Sequence, residues 1–139
     1  MARRVSKARK GGLAVSVTGQ SAIAQNLRNF RKEQAKGVSI GLKLAGLFLQ
    51  RESQLIVPID TGALRNSAFT RSVGEGFDTR VGVGYSQDYA IYVHEDLNAR
   101  HAPGKVAKYL ERPLRTKQSQ MLKIIATAAK RVKIKKVKP

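Results

Sequence analysis

Hydrophobic positions along the chain change period several times, and the changes divide it into elements. Residues 13–19, Leu-Ala-Val-Ser-Val-Thr-Gly, alternate, with Leu13, Val15 and Val17 on one face. That is the pattern of a half-buried strand, and Gly19 ends it. From Ser21, a residue suited to capping, the period becomes helical. Ile23, Leu27, Phe30, Val38, Leu42, Ala45, Leu49 and Ile56 recur at three- and four-residue steps, with Gln34 as a gap. The stripe predicts a helix over 21–56, roughly 50 Å long at ~1.5 Å per residue. So long an element in a chain of 139 residues makes Gly37 and Gly41 candidate break points. Ile40, Leu44, Leu47 and Phe48 widen the apolar surface of its second half. They are expected in the core, with a subunit interface as the alternative.

Pro58 stops this helix, because it cannot donate a backbone hydrogen bond and biases Val57 away from helical angles. Asp60 or Thr61 can cap a short new helical turn, in which Ala63, Leu64 and Ser67 stand at helical spacing. Gly62 permits a sharp change of direction. Residues 67–73 then alternate as a strand, residues 74–78 with two glycines form a hairpin loop, and residues 79–85 return. Gly82 and Gly84, on one face of the return strand, predict close packing against the long helix. Tyr89, Ile91 and Val93 are expected to pack into the sheet or the corner, with hydroxyls at its rim. The loop 97–105 carries Pro103-Gly104 with Arg100 and Lys105, the kind of exposed loop that contacts partners. Pro113 suits the first turn of a last helix over about 113–130. Leu114, Met121, Ile125 and Ala128, with Leu122 and Ile124 alongside, are its apolar stripe, expected antiparallel to or across the first helix. Val132, Ile134 and Val137 alternate with lysines, as in a strand added to a neighbour's sheet or an arm lying on DNA.

Charge alters this picture of an ordinary small domain. Lys and Arg number 27 against 9 Asp and Glu, a net of +18. Arg3, Arg4, Lys7, Arg9 and Lys10 stand in residues 1–12, and Lys130, Arg131, Lys133, Lys135, Lys136 and Lys138 in residues 130–139. Neither end has an acid, so eleven of the eighteen net charges belong to the ends. The chain divides into a basic N-terminal arm (1–12), a single domain (13–129) and a basic C-terminal arm (130–139). Such arms meet phosphate, an acidic protein surface or only water. No apolar run is long enough to span a bilayer, and no apolar stretch follows the basic start at once as in a signal peptide. The absence of cysteine removes disulfide and thiolate–metal chemistry.

Candidate chemistry is sparse. Gly82-x-Gly84 has no third glycine and no helix start after it, so it is not a dinucleotide loop. His94, Glu95, Asp96 and His101 have metal-binding side chains but lack a helix to set their spacing; hydrogen bonding that fixes the loop is the expected job. With both histidines in one region and the acids scattered, no nucleophile–base or acid–base pair is visible. The chain reads as a non-enzyme without cofactor or metal.

Three segments carry a resemblance. Pro58-Ile-Asp60-Thr61-Gly62-Ala-Leu64-Arg-Asn-Ser resembles the signature of the HK97 gp10-like family of tailed-phage neck proteins, also called tail-completion, head–tail joining or minor capsid proteins. Tyr89, Ala90, Tyr92, Val93 and Glu95 match that family's Tyr-Ala-x-Tyr-Val segment, which ends a strand and precedes an acid. Many members have Glu-x-Gly-Thr after the valine; this chain has His94-Glu95-Asp96-Leu97. The stretch 107–114, with Leu110 and Pro113, resembles the closing motif that opens the last helix. The resemblance covers about residues 20–115. It implies an α+β fold: a small, mainly antiparallel sheet packed against one long N-terminal helix and a second C-terminal helix, with basic extended arms at both ends. It implies a structural virion protein in the neck, a homo-oligomeric ring of six copies joining the DNA-filled head to the tail. The implied partners are adjacent neck proteins (connector or stopper, tail terminator or tube) and packaged double-stranded DNA, with no membrane. The implied location is the virion neck, reached through the host cytoplasm. The alternative reading is a sequence-independent nucleic-acid-binding protein acting through its arms.

Overall fold

The computed structural model describes residues 19–132. The strand expected at 13–17 and the arm residues Arg3, Arg4, Lys7, Arg9, Lys10, Lys133, Lys135, Lys136 and Lys138 lie outside them, as do Ile134 and Val137. The fold is α+β. Helix α1 (Gln20–Ile56) is followed by the short α2 (Ala63–Asn66), strand β1 (Ala68–Val73), a 3-10 turn (Gly76–Asp78) and strand β2 (Arg80–Tyr85). Helices α3 (Ala90–Glu95), α4 (Glu111–Thr116) and α5 (Gln118–Arg131) complete it. The sheet is an antiparallel hairpin in which Ala68 pairs with Tyr85 and Val73 with Arg80.

Helix α1 runs for 37 residues without the break expected at Gly37 or Gly41. Those glycines instead seat α5. A Cβ on Gly37 would lie 2.7 Å from the Ala129 Cα, and one on Gly41 2.7 Å from the Ile125 Cα. Lys117 pairs with Glu52 at 3.7 Å, so α5 runs antiparallel to α1, from the level of Glu52 back to that of Gly37. Glycine inside a helix costs about 1 kcal/mol relative to alanine. Here that cost is offset by backbone-to-backbone contact that no side chain would permit. Ala45, one further four-residue step along, is also buried.

A different face of α1 holds the hairpin through small and polar groups. Gly46 admits Val81, whose Cγ1 would meet an added Cβ at 2.5 Å. The Ser39 and Thr79 hydroxyls are 2.8 Å apart and both residues are buried. Thr70 donates to the Gln50 side-chain carbonyl at 2.7 Å, and the Ser53 and Tyr85 hydroxyls meet at 2.8 Å. The close approach therefore belongs to the helix glycine and not to Gly82 or Gly84. An added Cβ at Gly82 meets open space, and one at Gly84 would strike the Phe69 ring on the hairpin's outer side.

The apolar core is small and gathered at the C-terminal end of α1. Val57, Leu64, Ala90 and Tyr109 are buried, with Ile56, Tyr85, Val93 and Leu110 packed around them. Two sets of positions expected inside are exposed. Ile40, Leu44 and Leu47 remain on the surface because the hairpin and α5 occupy other faces of α1. Ile23, Leu27 and Phe30 are 57%, 64% and 49% exposed, because α5 ends at the level of Gly37 and, among the described residues, nothing covers the first four turns of α1. The last helix also divides in two, with Pro113 buried in α4 and Lys117 at the junction.

The glycine seat makes a checkable prediction. Gly41→Ala adds one methyl group, worth about 1 kcal/mol in favour of an unpacked helix. Against the Ile125 backbone it instead overpacks, at a cost of about 1 to 3 kcal/mol. A lower urea midpoint is expected, and Gly41→Val should lower it further.

Candidate interaction surfaces

The three resembling segments are distant in sequence but meet in one place. Helix α1 ends at Ile56, and Val57, fully buried, turns the chain while its amide still donates to the Ser53 carbonyl at 2.9 Å. The corner that follows is capped otherwise than expected. Gly62, at φ 84°, takes the N-cap position of α2, and Thr61 contributes only a 3.3 Å acceptor for the Ala63 amide. Leu64 is thereby directed into the core. The Tyr89–Val93 segment is helix rather than strand, so its inward positions are Ala90 and Val93. Tyr89 and Ile91 are exposed, which corrects their expected packing into the sheet or the corner, while Val93 packs as expected; Tyr92 also faces outward.

Tyr109, from the third segment, is the centre of this assembly. Its hydroxyl donates to the Ala90 carbonyl at 2.6 Å, tying the third segment to the second. Its ring meets Tyr85 edge-on at 5.0 Å and His94 at 4.9 Å. Burial pushes its hydroxyl pKa up to about 12, with Tyr85 and Tyr89 adding to the rise. Burial also raises Tyr85, against the hydrogen bond from Ser53. Lys108, just before it, has φ 58°, a left-handed conformation that costs about 1 kcal/mol or more without glycine. Its contacts hold it there. The Lys108 amide donates to the His94 carbonyl at 2.7 Å, and its ammonium pairs with Glu95 and Glu111. The Lys108 ammonium, followed by His94, holds the Glu95 carboxyl below its usual range, and Glu95 raises Lys108 in return.

The loop after α3 is fixed by hydrogen bonds, as its composition led one to expect. The Asp96 carboxylate accepts from the amides of Asn98 and Ala99 at 3.0 and 3.1 Å. Among the described residues no group of three or more His, Asp or Glu is placed to hold a metal. His94 Nδ1 lies 2.7 Å from Glu95, while His94 Nε2 and His101 Nε2 are buried without a hydrogen-bond partner. Arg100 and His101 line a cleft of about 430 Å3 together with the corner residues Pro58, Asp60 and Gly62. Lys105, expected to contact a partner, also holds the end of α1. Its ammonium donates to the Leu55 carbonyl at 2.7 Å, and the next amide, Val106, donates to Ile56 at 3.0 Å. Together they satisfy the free carbonyls at the negative end of the α1 dipole.

Charge is distributed along the long axis. Arg28, Arg31, Lys32 and Lys36 stand on the first half of α1; Lys130 and Arg131 stand in the last turn of α5. The packing of Gly37 on Ala129 and Val132 brings α5's last turn to this first half of α1, where Glu33 is already paired with Lys36. The opposite end holds Glu52, Asp60, Asp88, Glu95, Asp96 and Glu111, six of the chain's nine acids.

Between α1, α5 and the hairpin lies an apolar groove of about 820 Å3. Leu42 and Leu49 form its floor, Val81 and Val83 one wall, and Leu114 and Leu122 the other. Glu95 and Glu111 stand in its lining, which contains no lysine or arginine. Neither the groove nor the Tyr109 centre was singled out by the sequence patterns. Tyr109 lies within the resembling stretch 107–114, but only the fold places its hydroxyl on Ala90.

Tyr109→Phe should cost about 0.5 to 1.5 kcal/mol, because it removes a buried hydrogen bond while the Ala90 carbonyl keeps its place in the α3 ladder. The pH dependence should change with it. Unfolded tyrosine ionises near pH 10, while folded Tyr109 keeps its proton to about 12, so native protein holds more protons in between and stability falls as pH rises through that window. Urea unfolding from pH 8 to 12 should show a shallower alkaline loss in the variant. No family model, curated protein or solved structure matches this chain.

Proposed function

We propose that this chain is a structural protein of a tailed-phage neck, a ring of copies that joins the DNA-filled head to the tail. The observation that carries the reading is the convergence of the three resembling segments. The corner at 57–64, the turn of helix at 89–95 and the stretch 107–113 are separated in sequence, yet they form one core around Tyr109. Residues that resemble a family signature and also interlock physically act as one fold-defining unit. The work proposed for that unit is scaffolding: it fixes the end of α1 and the outlying loop 97–105 relative to the groove. The role needs no catalysis, and the contacts of the two histidines belong to loop and core geometry.

The axial charge distribution supports the partners of this reading. The basic end faces packaged DNA or acidic surfaces of adjacent neck proteins; the more balanced end, with most of the acids, faces a neighbouring copy or ring. Six copies at +18 repel one another strongly, so ring closure requires counter-charge or salt. Pure protein should therefore form few stable rings at low ionic strength and more on addition of duplex DNA.

The excess of bases over acids on the first half of α1 and the last turn of α5 also favours a second reading, sequence-independent binding of nucleic acid through that region. Duplex affinity would then fall with salt by about 0.9 log units per phosphate contact per decade.

Negative-stain microscopy of lysates from a phage lacking this gene tests the first reading. Full heads beside finished, unattached tails are expected. Normal tailed particles would overturn the neck assignment and leave salt-dependent duplex binding as the reading to pursue.

A further inference from the structure

Among the described residues two surfaces are left without a partner, and they match each other. The first is the uncovered stripe Ile23, Leu27 and Phe30 on α1, spaced i, i+4, i+7, the anchor pattern of a helix that lies in a groove. The second is the groove between α1, α5 and the hairpin. Its floor runs from Leu42 to Leu49 and its α5 wall from Gln118 to Ile125, each about 10 Å of helix. The stripe from Ile23 to Phe30 has that same length.

Charge agrees with shape. Arg31 borders the stripe on one side, Glu33 on the other is already paired with Lys36, and the charged carboxyl groups of the groove lining are Glu95 and Glu111, with no base among the lining residues. Both acids already have a partner on their outer side, Glu95 in Lys108 and Glu111 in Arg115 at 2.6 Å. An incoming arginine would therefore share them at the rim rather than bury a new pair.

The stripe cannot occupy its own groove. Helix α1 is continuous from Gln20 to Ile56, so its first half projects away from the floor formed by its second half. We propose that the Ile23–Leu27–Phe30 stripe of one copy docks in the groove of the next, with Arg31 against Glu95 and Glu111. The contact joins two different surfaces of identical chains. It is head-to-tail, and it closes into a ring or extends as a filament according to the rotation between copies. The inference rests on the ring reading in one respect only: it names how copies of this chain meet.

The absence of cysteine gives a clean test. Leu27→Cys and Leu122→Cys alter exposed side chains, so each full-length variant should fold. The two are mixed and oxidised at about 0.5 M salt, where repulsion between basic ends is screened. The mixture should form a disulfide-linked dimer at least tenfold more than either variant alone. The double variant should give a ladder of covalent oligomers. Leu27→Asp should lower the association constant tenfold or more with the melting temperature unchanged. Equal dimer from Leu27→Cys alone would overturn the inference in favour of symmetric helix pairing. A mixture that stays monomeric would overturn it as well. Rings of normal size formed by Leu27→Asp would overturn it while leaving the neck reading intact, which the gene-deletion lysates judge separately.

Discussion

Helix α5 rests on α1 backbone to backbone, and the rest of the fold is built on that contact. It exists because Gly37 and Gly41 present no side chain at two successive crossing levels. Two helices held this close define a narrow ridge, and the hairpin must find another face of α1. It does so through Gly46 and the polar positions Ser39, Gln50 and Ser53. The result is one long helix with different neighbours on two faces and, among the described residues, none on a third. A two-stranded hairpin has little independent stability in water. Here Thr70, Thr79 and Tyr85 fasten it to the helix by side-chain hydrogen bonds, in place of the further strands that a larger sheet would supply.

The core at the end of α1 solves a separate problem, the stopping of a 37-residue helix. Pro58 ends it, but the carbonyls left behind need donors. Lys105 and Val106 arrive from fifty residues away to supply them. For the loop to arrive there, Lys108 must take a left-handed conformation and Tyr109 must turn inward. The strain at one residue, the buried hydroxyl at the next and the ion pairs on the surface are thus parts of one closure.

The sequence disclosed the elements better than their faces. Helical period marked α1 almost to the residue, and alternation with paired glycines marked the hairpin. Where it misled, the cause lay in tertiary contact. Gly37 and Gly41 look like breaks because glycine weakens an isolated helix, and only a neighbour that needs the space reverses that reading. Gly82 and Gly84 look like packing sites because they share a face, yet that face turns outward. Ile23, Leu27 and Phe30 have the pattern of a core stripe; what they lack is α5, whose length no local signal relates to theirs. Tyr89 to Val93 span too few residues for periodicity to separate strand from helix, and the strand expected there came from the resemblance alone. The Asp96 loop was legible because an aspartate binding its own following amides is local chemistry. The groove was not, since its walls come from four separate elements.

The uncovered stripe and the groove floor lie on the same unbroken helix, and this has a consequence for how the sequence can vary. Between Ile23 and Leu42 the helix acts as a ruler of about 28 Å. One added or lost residue in that interval turns the stripe by about 100° relative to the floor, so the apolar side chains no longer point the same way. Seven residues nearly restore the direction, with a drift of about 20°, and shift it by about 10 Å along the axis. Insertions and deletions between the two are therefore restricted to near-whole numbers of turns, while those in the hairpin tip or in loop 97–105 escape that rule. The spacing is written into the chain as a count of residues, and its tolerance is set by helical phase rather than by the identity of any one side chain.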